Sequence, residues 1–340
     1  MAADAKVSLQ TVSRVINNEP NVRAATQARV QASIDKLGYV PLIAAQRLSG
    51  RRSYLILALN DRDRTIADWT ARQGGDWVDQ MLLGGMLKAA EHGYRMILEL
   101  VDTHSDQIER ELAATIGALQ PDGVILTPPH SENRQICLLL DAHGIPFVRI
   151  GAAGAGPGFS ITMDDAGAAR EATAYLIGMG HRRIGFIAGS PECSLSGWRV
   201  EGWKAAMSEA GLECEDLLAT GDFGYQSGLD ATRKLLALDN RPTALIASND
   251  QMALAALEVA RGLDLGIPER LSLISFDNTP VVRFSQPRLT AVDQPIAETV
   301  SKAVELLIDA ARGEPDPTPM VVSGRLVQRD STGPVSPQAA

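Results

Sequence analysis

Gln10, Arg14 and Asn17 recur at the spacing of one helix face, while Val12, Val15 and Ile16 recur on the opposite face. A helix of this kind buries its aliphatic side and offers the polar side to a second molecule. The chemistry available is base-edge recognition: a glutamine amide can pair with adenine, and a guanidinium with guanine, each through two hydrogen bonds. Leu9 lies at the N-terminal edge, where such a helix first meets bases, and can pack on a thymine methyl. The short hydroxyls of Thr11 and Ser13 suit phosphate oxygens. Taken alone, a solvated amphipathic helix is the simpler reading.

A second set of polar residues follows the apolar runs of the later chain. Arg199 comes after RIGFIAG and offers a planar fork for hydroxyl groups, with a helix-end ion pair as its alternative. Asn249 and Asp277 fall just past the C-terminal ends of two expected strands, where ligands bind in open α/β sheets. Asp250 is expected to cap the helix that follows and Asn249 to point into a cleft.

Catalytic chemistry finds little support. His92, His104, His130, His143 and His181 lie apart, and Cys137, Cys193 and Cys214 show no CxxC pairing, so neither a metal site nor a disulfide framework is expected. Gly154-x-Gly156 in GAAGAGPG lacks the remaining spacing of a dinucleotide loop, and Pro157 interrupts the helix start that would hold a pyrophosphate. There is no Walker A, HExxH or GxSxG motif. The expectation is a protein that is not an enzyme and takes no cofactor.

The elements that must position these residues fall into two styles. Residues 1–52 hold eight cations and three anions, whereas the rest of the chain carries a net charge of −14 within a total of −9. A basic head on an acidic body points to a DNA-binding head and a body with another task. Ala2–Ala5, a helix capped by Ser8, and Ala25–Leu37 form the head, with Gly38 ending the third helix. Leu42–Leu48 is a further short helical candidate, and Gly50–Ser53 a linker. From Tyr54 onward, YLILALN, YRMILEL, DGVILTP, PFVRIG, RIGFIAG, TALIAS and LSLISF read as buried strands alternating with amphipathic helices. That alternation implies parallel sheets with right-handed crossovers, and the number of units favours two doubly wound subdomains with a cleft between them. The boundaries read as 1–40 head, 41–53 hinge and linker, 54–330 core, and 331–340 a frayed, Pro-rich tail. No apolar run approaches the roughly 18 residues of a membrane span, and MAADAKVSLQ has no apolar leader segment, so a cytoplasmic location is expected.

The spacing of the head adds what the helix alone does not. The run Ala2 to Asn17, then VRAATQARVQASIDKLGYVP, then AAQRLSG closely resembles the head of the LacI/GalR family of transcriptional regulators. The blocks SITMDDAGAAREATAYLIGMGHRRIGFIAG, SGWRVEGWKAAM, ALIASNDQMALAALEVARGLDLGIPERLSLISFDNTP and LTAVDQPIAE resemble the family's core, which is similar to periplasmic sugar-binding proteins. The resemblance implies a helix-turn-helix in which Leu9, Gln10 and Arg14 read bases. Ser8, Thr11, Ser13, Asn17 and Tyr39 would position the backbone. It also implies a hinge helix over Ala44–Leu48 that wedges Leu48 into the minor groove, with Ala45 allowing close approach of a two-fold mate. In the core it matches Arg199, Asn249 and Asp277 to ligand contacts and Phe223 to an aromatic packed on the ligand. Trp69, Phe276 and Gln294 are further candidates. Ordinary core packing is the alternative for the two phenylalanines, and a surface role for Trp69. Two departures stand out. The family usually has several more residues before Ala2, and Leu42 replaces a usual asparagine; both bear on DNA affinity.

The reading is a homodimeric, sequence-specific DNA binder for palindromic operator sites, switched by a small effector of saccharide type and without a membrane role. The alternative is a solute-binding protein without DNA function.

Overall fold

The computed structural model describes residues 1–16, 21–38, 52–72, 75–154 and 156–335. The chain divides into two units, residues 1–53 and 54–340.

The first unit contains α1 (Ala2–Ala5), α2 (Leu9–Ile16) and α3 (Ala24–Leu37). Ser8 caps α2 as expected: its Oγ accepts from the Thr11 amide at 3.1 Å. Gly38 closes α3 in the left-handed region at φ 57°, where its lack of a Cβ carries no penalty. Ala5, Val12, Val15 and Val30 make a small core. Asp4 adds a polar tie from α1 to α3, accepting from Lys36 Nζ at 2.6 Å and Ser33 Oγ at 2.7 Å. The expected hinge helix Ala44–Leu48 lies outside the described residues.

The second unit is built on two six-stranded sheets. Strands β1 (Leu55–Asp61), β2 (Arg95–Val101), β3 (Gly123–Leu126), β4 (Phe147–Ile150), β5 (Phe159–Thr162) and β11 (Met320–Val321) form one, in the order β11-β5-β4-β3-β1-β2. Strands β6 (Ile184–Ala188), β7 (Leu218–Thr220), β8 (Ala244–Ala247), β9 (Ser272–Asp277), β10 (Thr290–Asp293) and β12 (Arg325–Val327) form the other, in the order β12-β10-β9-β8-β6-β7. Each carries the doubly wound order in which the second strand lies outside the first. All pairings are parallel except that of β10 with β12. The seven strands expected from their apolar runs are all present; six are buried on both faces, as parallel strands between helices must be, while the edge strand β2 is partly exposed, with Ile97 at 37%.

The helices of the first subdomain are α4 (Arg62–Ala71), α5 (Asp76–Glu91), α6 (Ile108–Leu119) and α7 (Arg134–Ala142). The second subdomain has α8 (Asp165–Gly178), α9 (Ser194–Glu209), α10 (Tyr225–Leu236), α11 (Asp250–Gly262) and α12 (Val281–Phe284). The last helix, α13 (Ile296–Arg312), returns to the first subdomain, where Val300, Val304 and Leu307 join its core. The chain therefore crosses between subdomains three times: after β5, after β10 and after β11.

Helix pairs in both subdomains close on glycines. A Cβ on Gly84 of α5 would lie 1.9 Å from the Ala297 carbonyl oxygen of α13, and one on Gly202 of α9 would lie 2.0 Å from that of Ala166 in α8. Residues 331–335 correct the expectation of a frayed tail. Ser331 is fully buried, its carbonyl and hydroxyl both bonded to the sheet: Leu273 N donates to Ser331 O at 2.8 Å, and Ser331 Oγ donates to Leu273 O at 2.6 Å. His181 Nε2 lies 3.0 Å from Gly333 O. Pro-rich composition suggested fraying, but these backbone groups find partners along β9. Gly202→Ala should destabilise the protein by about 1–3 kcal/mol, because a backbone oxygen must give way. Urea unfolding of the variant checks this, and an unchanged midpoint would show that α8 and α9 separate freely.

Candidate functional site

In the head, α2 turns Val12 and Val15 inward and leaves Gln10, Ser13 and Arg14 exposed. Leu9 is 81% exposed, at the N-terminal end of the same surface. Exposing this much apolar side chain on a polar helix suits contact with a methyl-bearing partner. Beside this face, Ser8, Thr11 and Arg14 share a shallow groove with Arg23, Thr26 and Arg29 of the turn and α3. Ser8 and Thr11 are also engaged with each other, their hydroxyls 2.9 Å apart. Sequence reasoning did not single out Arg23, Thr26 and Arg29; the clustering of hydroxyls and guanidinium groups on one wall is visible only after folding. Asn17, Tyr39, Ala45 and Leu48 lie outside the described residues.

In the second unit, the carboxyl ends of both sheets face one cleft, the position open α/β sheets use for ligands. The first subdomain contributes Asn60 and Asp61 at the end of β1, Arg64, Thr65 and Asp68 of α4, and Trp77 and Pro128. The second contributes Cys193 and Leu195, Arg199, Phe223, Asn249, Asp250, Asp277 and Thr279. Arg199, Phe223, Asn249 and Asp277 thus come together as the sequence suggested.

Arg199 is only 3% exposed, and its fork is already committed. Nε donates to Asp165 Oδ1 at 2.8 Å, Nη1 donates to the Ser248 carbonyl, and the guanidinium carbon lies 4.6 Å from the Phe276 ring centroid. Arg199 is thus half of a buried ion pair, the alternative weighed for it, and at the same time part of the cleft wall. Phe276 and Gln294 sit one layer behind it. Phe276 is fully buried beneath Arg199, and Gln294 Nε2 donates to Asp165 Oδ1 at 3.3 Å. Neither lines the cleft, because each follows its strand into the subdomain core. Trp69 is 49% exposed on α4 and is not part of the lining; Trp77 lines the cleft instead.

The expected division between Asn249 and Asp250 is reversed. Asn249 has extended backbone at φ −158° and is the cap of α11, its Oδ1 accepting from Met252 N at 2.9 Å. Its Nδ2 donates to Phe223 O at 2.7 Å. Asp250 is already helical, so its side chain turns inward and accepts from Ser275 Oγ, Thr279 N and Thr279 Oγ1. Three cleft-side residues, Phe223, Asp277 and Asn278, have φ of 71°, 88° and 59°, a conformation side chains other than glycine rarely adopt. Asn278 is held there from both sides: its Nδ2 donates to Asp293 Oδ1 at 2.8 Å, and its Oδ1 accepts from Arg329. On the opposite wall, Asp61 caps α4 by accepting from Arg64 N at 2.9 Å. Its other oxygen accepts from Thr103 Oγ1 at 2.6 Å, which lies 3.0 Å from His130 Nε2. Burial holds the His130 imidazole below its usual value, so it stays neutral and anchors this relay.

Among the described residues no group of three His, Cys, Asp or Glu side chains is placed to hold a metal. Nor is any helix long and apolar enough to cross a membrane. The arrangement can fix a small molecule between two walls rich in carboxylate and amide acceptors, with Phe223 and Trp77 as apolar surfaces.

A two-lobed ligand-cleft protein carrying a small helical head is the class that this fold and site define. Residues 1–41 match the model of the lacI family of bacterial regulatory proteins, and residues 173–332 match that of the periplasmic binding protein-like domain. The chain is 33% identical to the HTH-type transcriptional regulator CelR of Thermobifida fusca, covering 97% of this chain and 96% of that one. It is 31% identical to the HTH-type transcriptional repressor CytR of Escherichia coli K12, covering 92% and 89%. The solved complex of CelR with cellobiose superposes with a TM-score of 0.74 at 31% identity, over 97% of this chain and 98% of that one. The Lac repressor dimer shares the fold at 24% identity and a TM-score of 0.79, over 98% and 97%. The chain belongs to the lacI family of bacterial regulatory proteins.

Removing the partner of Arg199 leaves an uncompensated buried charge. Asp165→Ala should cost about 3–5 kcal/mol of stability, read by chemical unfolding; a loss below about 1 kcal/mol would mean that Arg199 finds another partner. Burial and the neighbouring Asp277 carboxylate push the Asp250 carboxyl up, against the pull of the Ser275 and Thr279 hydrogen bonds. The native protein then holds this proton more tightly than the unfolded chain. The contribution of Asp250 to stability therefore falls as pH rises from about 4 toward the raised value, and is constant above it. Asp250→Asn should flatten that part of the stability profile, and an unchanged slope would place the titration elsewhere.

Proposed function

We propose that this protein is a sequence-specific DNA-binding transcriptional regulator, acting as a homodimer on palindromic operator sites and switched by a small effector in the cleft. The observation that carries this reading is the exposed face of α2, where Leu9, Gln10, Ser13 and Arg14 stand clear of the head's core in a basic first unit. Leu9 and Gln10 meet base edges first, Arg14 reaches a guanine, and Arg23, Thr26 and Arg29 serve the phosphates beside them. Asn17 and Tyr39 add backbone contacts, and Leu48 with Ala45 a minor-groove wedge.

A saccharide is the effector class that best fits the cleft. Asp61, Asp68, Asp250 and Asp277 outnumber Arg64 and Arg199 on its walls, which favours hydroxyl donors and disfavours a phosphorylated ligand. The cellobiose bound to CelR, a relative over nearly the full chain, supports the same class. Arg199, Phe223, Asn249 and Asp277 are assigned the contacts. Phe276 and Gln294 are assigned to the support behind them, and Trp69 to the cleft's outer margin.

Dimerisation is assigned to the core. Leu83, Met86 and Leu87 form one exposed stripe on α5, on residues flanking the glycine contact with α13. A stripe of this kind suits an apolar contact with a second copy related by a two-fold axis, which would match a palindromic site. No membrane association is assigned, and a cytoplasmic location follows from the DNA partner.

Selection from random duplex DNA followed by gel shift tests the central claim. A palindromic site should be enriched, and Arg14→Ala should weaken it by about 1–3 kcal/mol and relax one base position in each half. Failure of every selected duplex to outcompete random DNA would remove the regulator reading. Leu87→Glu should shift the protein toward monomer in sedimentation at micromolar concentration, and a persistent dimer would place the interface on another face.

A further inference from the structure

Among the described residues, the side-chain hydrogen bonds that tie helix α4 to its own subdomain gather at its first turn. Asp61 caps it, Asn60 Nδ2 donates to Thr65 Oγ1 at 2.7 Å, and Arg62 Nη2 donates to Asp102 Oδ2 at 2.8 Å. Thr65 is the one buried residue of the helix; Ile66 and Trp69 are 47% and 49% exposed. From this lightly held element Arg64 reaches over to the opposite subdomain, its guanidinium carbon 5.0 Å from the centroid of the Phe223 ring. The ring is by contrast firmly placed. Its backbone is left-handed at φ 71°, its carbonyl is held by Asn249, and it packs on Gly189, where a Cβ would sit 2.1 Å from Cζ.

The charges around Arg64 come from both walls. Its Nε lies 4.0 Å from Asp68 Oδ2 on the same helix. Burial raises the Asp68 carboxyl, with the Arg64 charge lowering it and Asp222, beside Phe223, raising it further. Asp222 in turn is lowered on balance: burial works against its hydrogen bonds from Ser227 and Gly224, and the Arg64 charge adds to them. Arg64 therefore sits between carboxylates belonging to two different subdomains, one guanidinium screening both from each other.

We propose that Arg64 is a clasp that holds α4 across the cleft on the ring of Phe223, the same apolar surface an effector would pack against. The competition half of this inference rests on the reading that the cleft binds a saccharide; the clasp itself rests on geometry alone. A ligand that lays its C–H face on Phe223 displaces the guanidinium, and α4 then loses its contact with the far wall. Occupancy of the cleft is in this way converted into release of one helix. Arg64 also acts as a specificity-determining residue, because only ligands that stack better than a guanidinium gain the ring.

Hydrogen-exchange mass spectrometry on the full chain tests the clasp without any ligand. Arg64→Ala and Phe223→Leu should each raise exchange at residues 66–71 by about threefold to tenfold, the range a lost cation–π contact allows. The amides of β1 serve as the unaffected reference, and those of β6, in the subdomain that holds Phe223, report whether Phe223→Leu remains folded. Unchanged exchange at 66–71 in Arg64→Ala overturns the clasp. Calorimetric titration with cellobiose and with glucose tests the competition: Arg64→Ala should bind the sugar about threefold to tenfold tighter than the parent protein. Weaker binding overturns it and makes Arg64 a direct ligand contact. If neither sugar binds either protein, the saccharide reading falls for these sugars while the exchange result still decides the clasp.

Discussion

The ion pair of Arg199 with Asp165 is the constraint around which the second subdomain is arranged. It joins the first turn of α8 to α9, reaches the end of β8 through the Ser248 carbonyl, rests on Phe276 of β9 and touches Gln294 beyond β10. Removing either member of so deeply buried a pair would strand a charge, so the pair fixes where these elements must lie before any ligand arrives. The cleft surface is the outer side of this polar assembly.

The same wall is ordered by a second means as well. Phe223, Asp277 and Asn278 occupy backbone conformations that cost energy for side-chain-bearing residues, and such positions persist only when the surroundings over-determine them. Asn249 does this for Phe223, while Asp293 and Arg329 do it for Asn278. Polar residues that look like ligand contacts in the sequence are in several cases spent on holding their neighbours. The first subdomain shows the same economy: Asp61 is a cap, a relay to His130 and a cleft residue at once.

Much of this architecture is legible in the sequence, for reasons that are physical. Parallel strands buried on both faces leave continuous apolar runs, and seven were visible. Strands of two or three residues, β7, β11 and β12, leave no such run. Helix α4 escaped notice because only Thr65 is buried, so it carries no apolar period. Arg199, Asn249 and Asp277 could be found from their places after strands. The depth at which Phe276 and Gln294 lie could not, since one residue along a strand alternates between core and rim. The Asn249 and Asp250 reversal is of the same kind: a shift of one residue decides which carbonyl-bearing side chain meets the free amides of α11. In the head, the exposed positions of α2 followed directly from its valines, whereas the arginines of the neighbouring groove are brought together only by the turn.

The three passages of the chain between subdomains have a bearing on synthesis as well as on motion. The sheet that begins at Leu55 receives its covering helix α13 and its edge strand β11 only from residues 296–321. The first lobe to leave the ribosome is thus among the last to be finished, and one of its faces is covered only by α5 while the second lobe is made. Domains generally fold in the order of their synthesis; here the winding of the chain ties the maturation of both lobes to the final stretch of translation, so that a chain cut short near its end forfeits both.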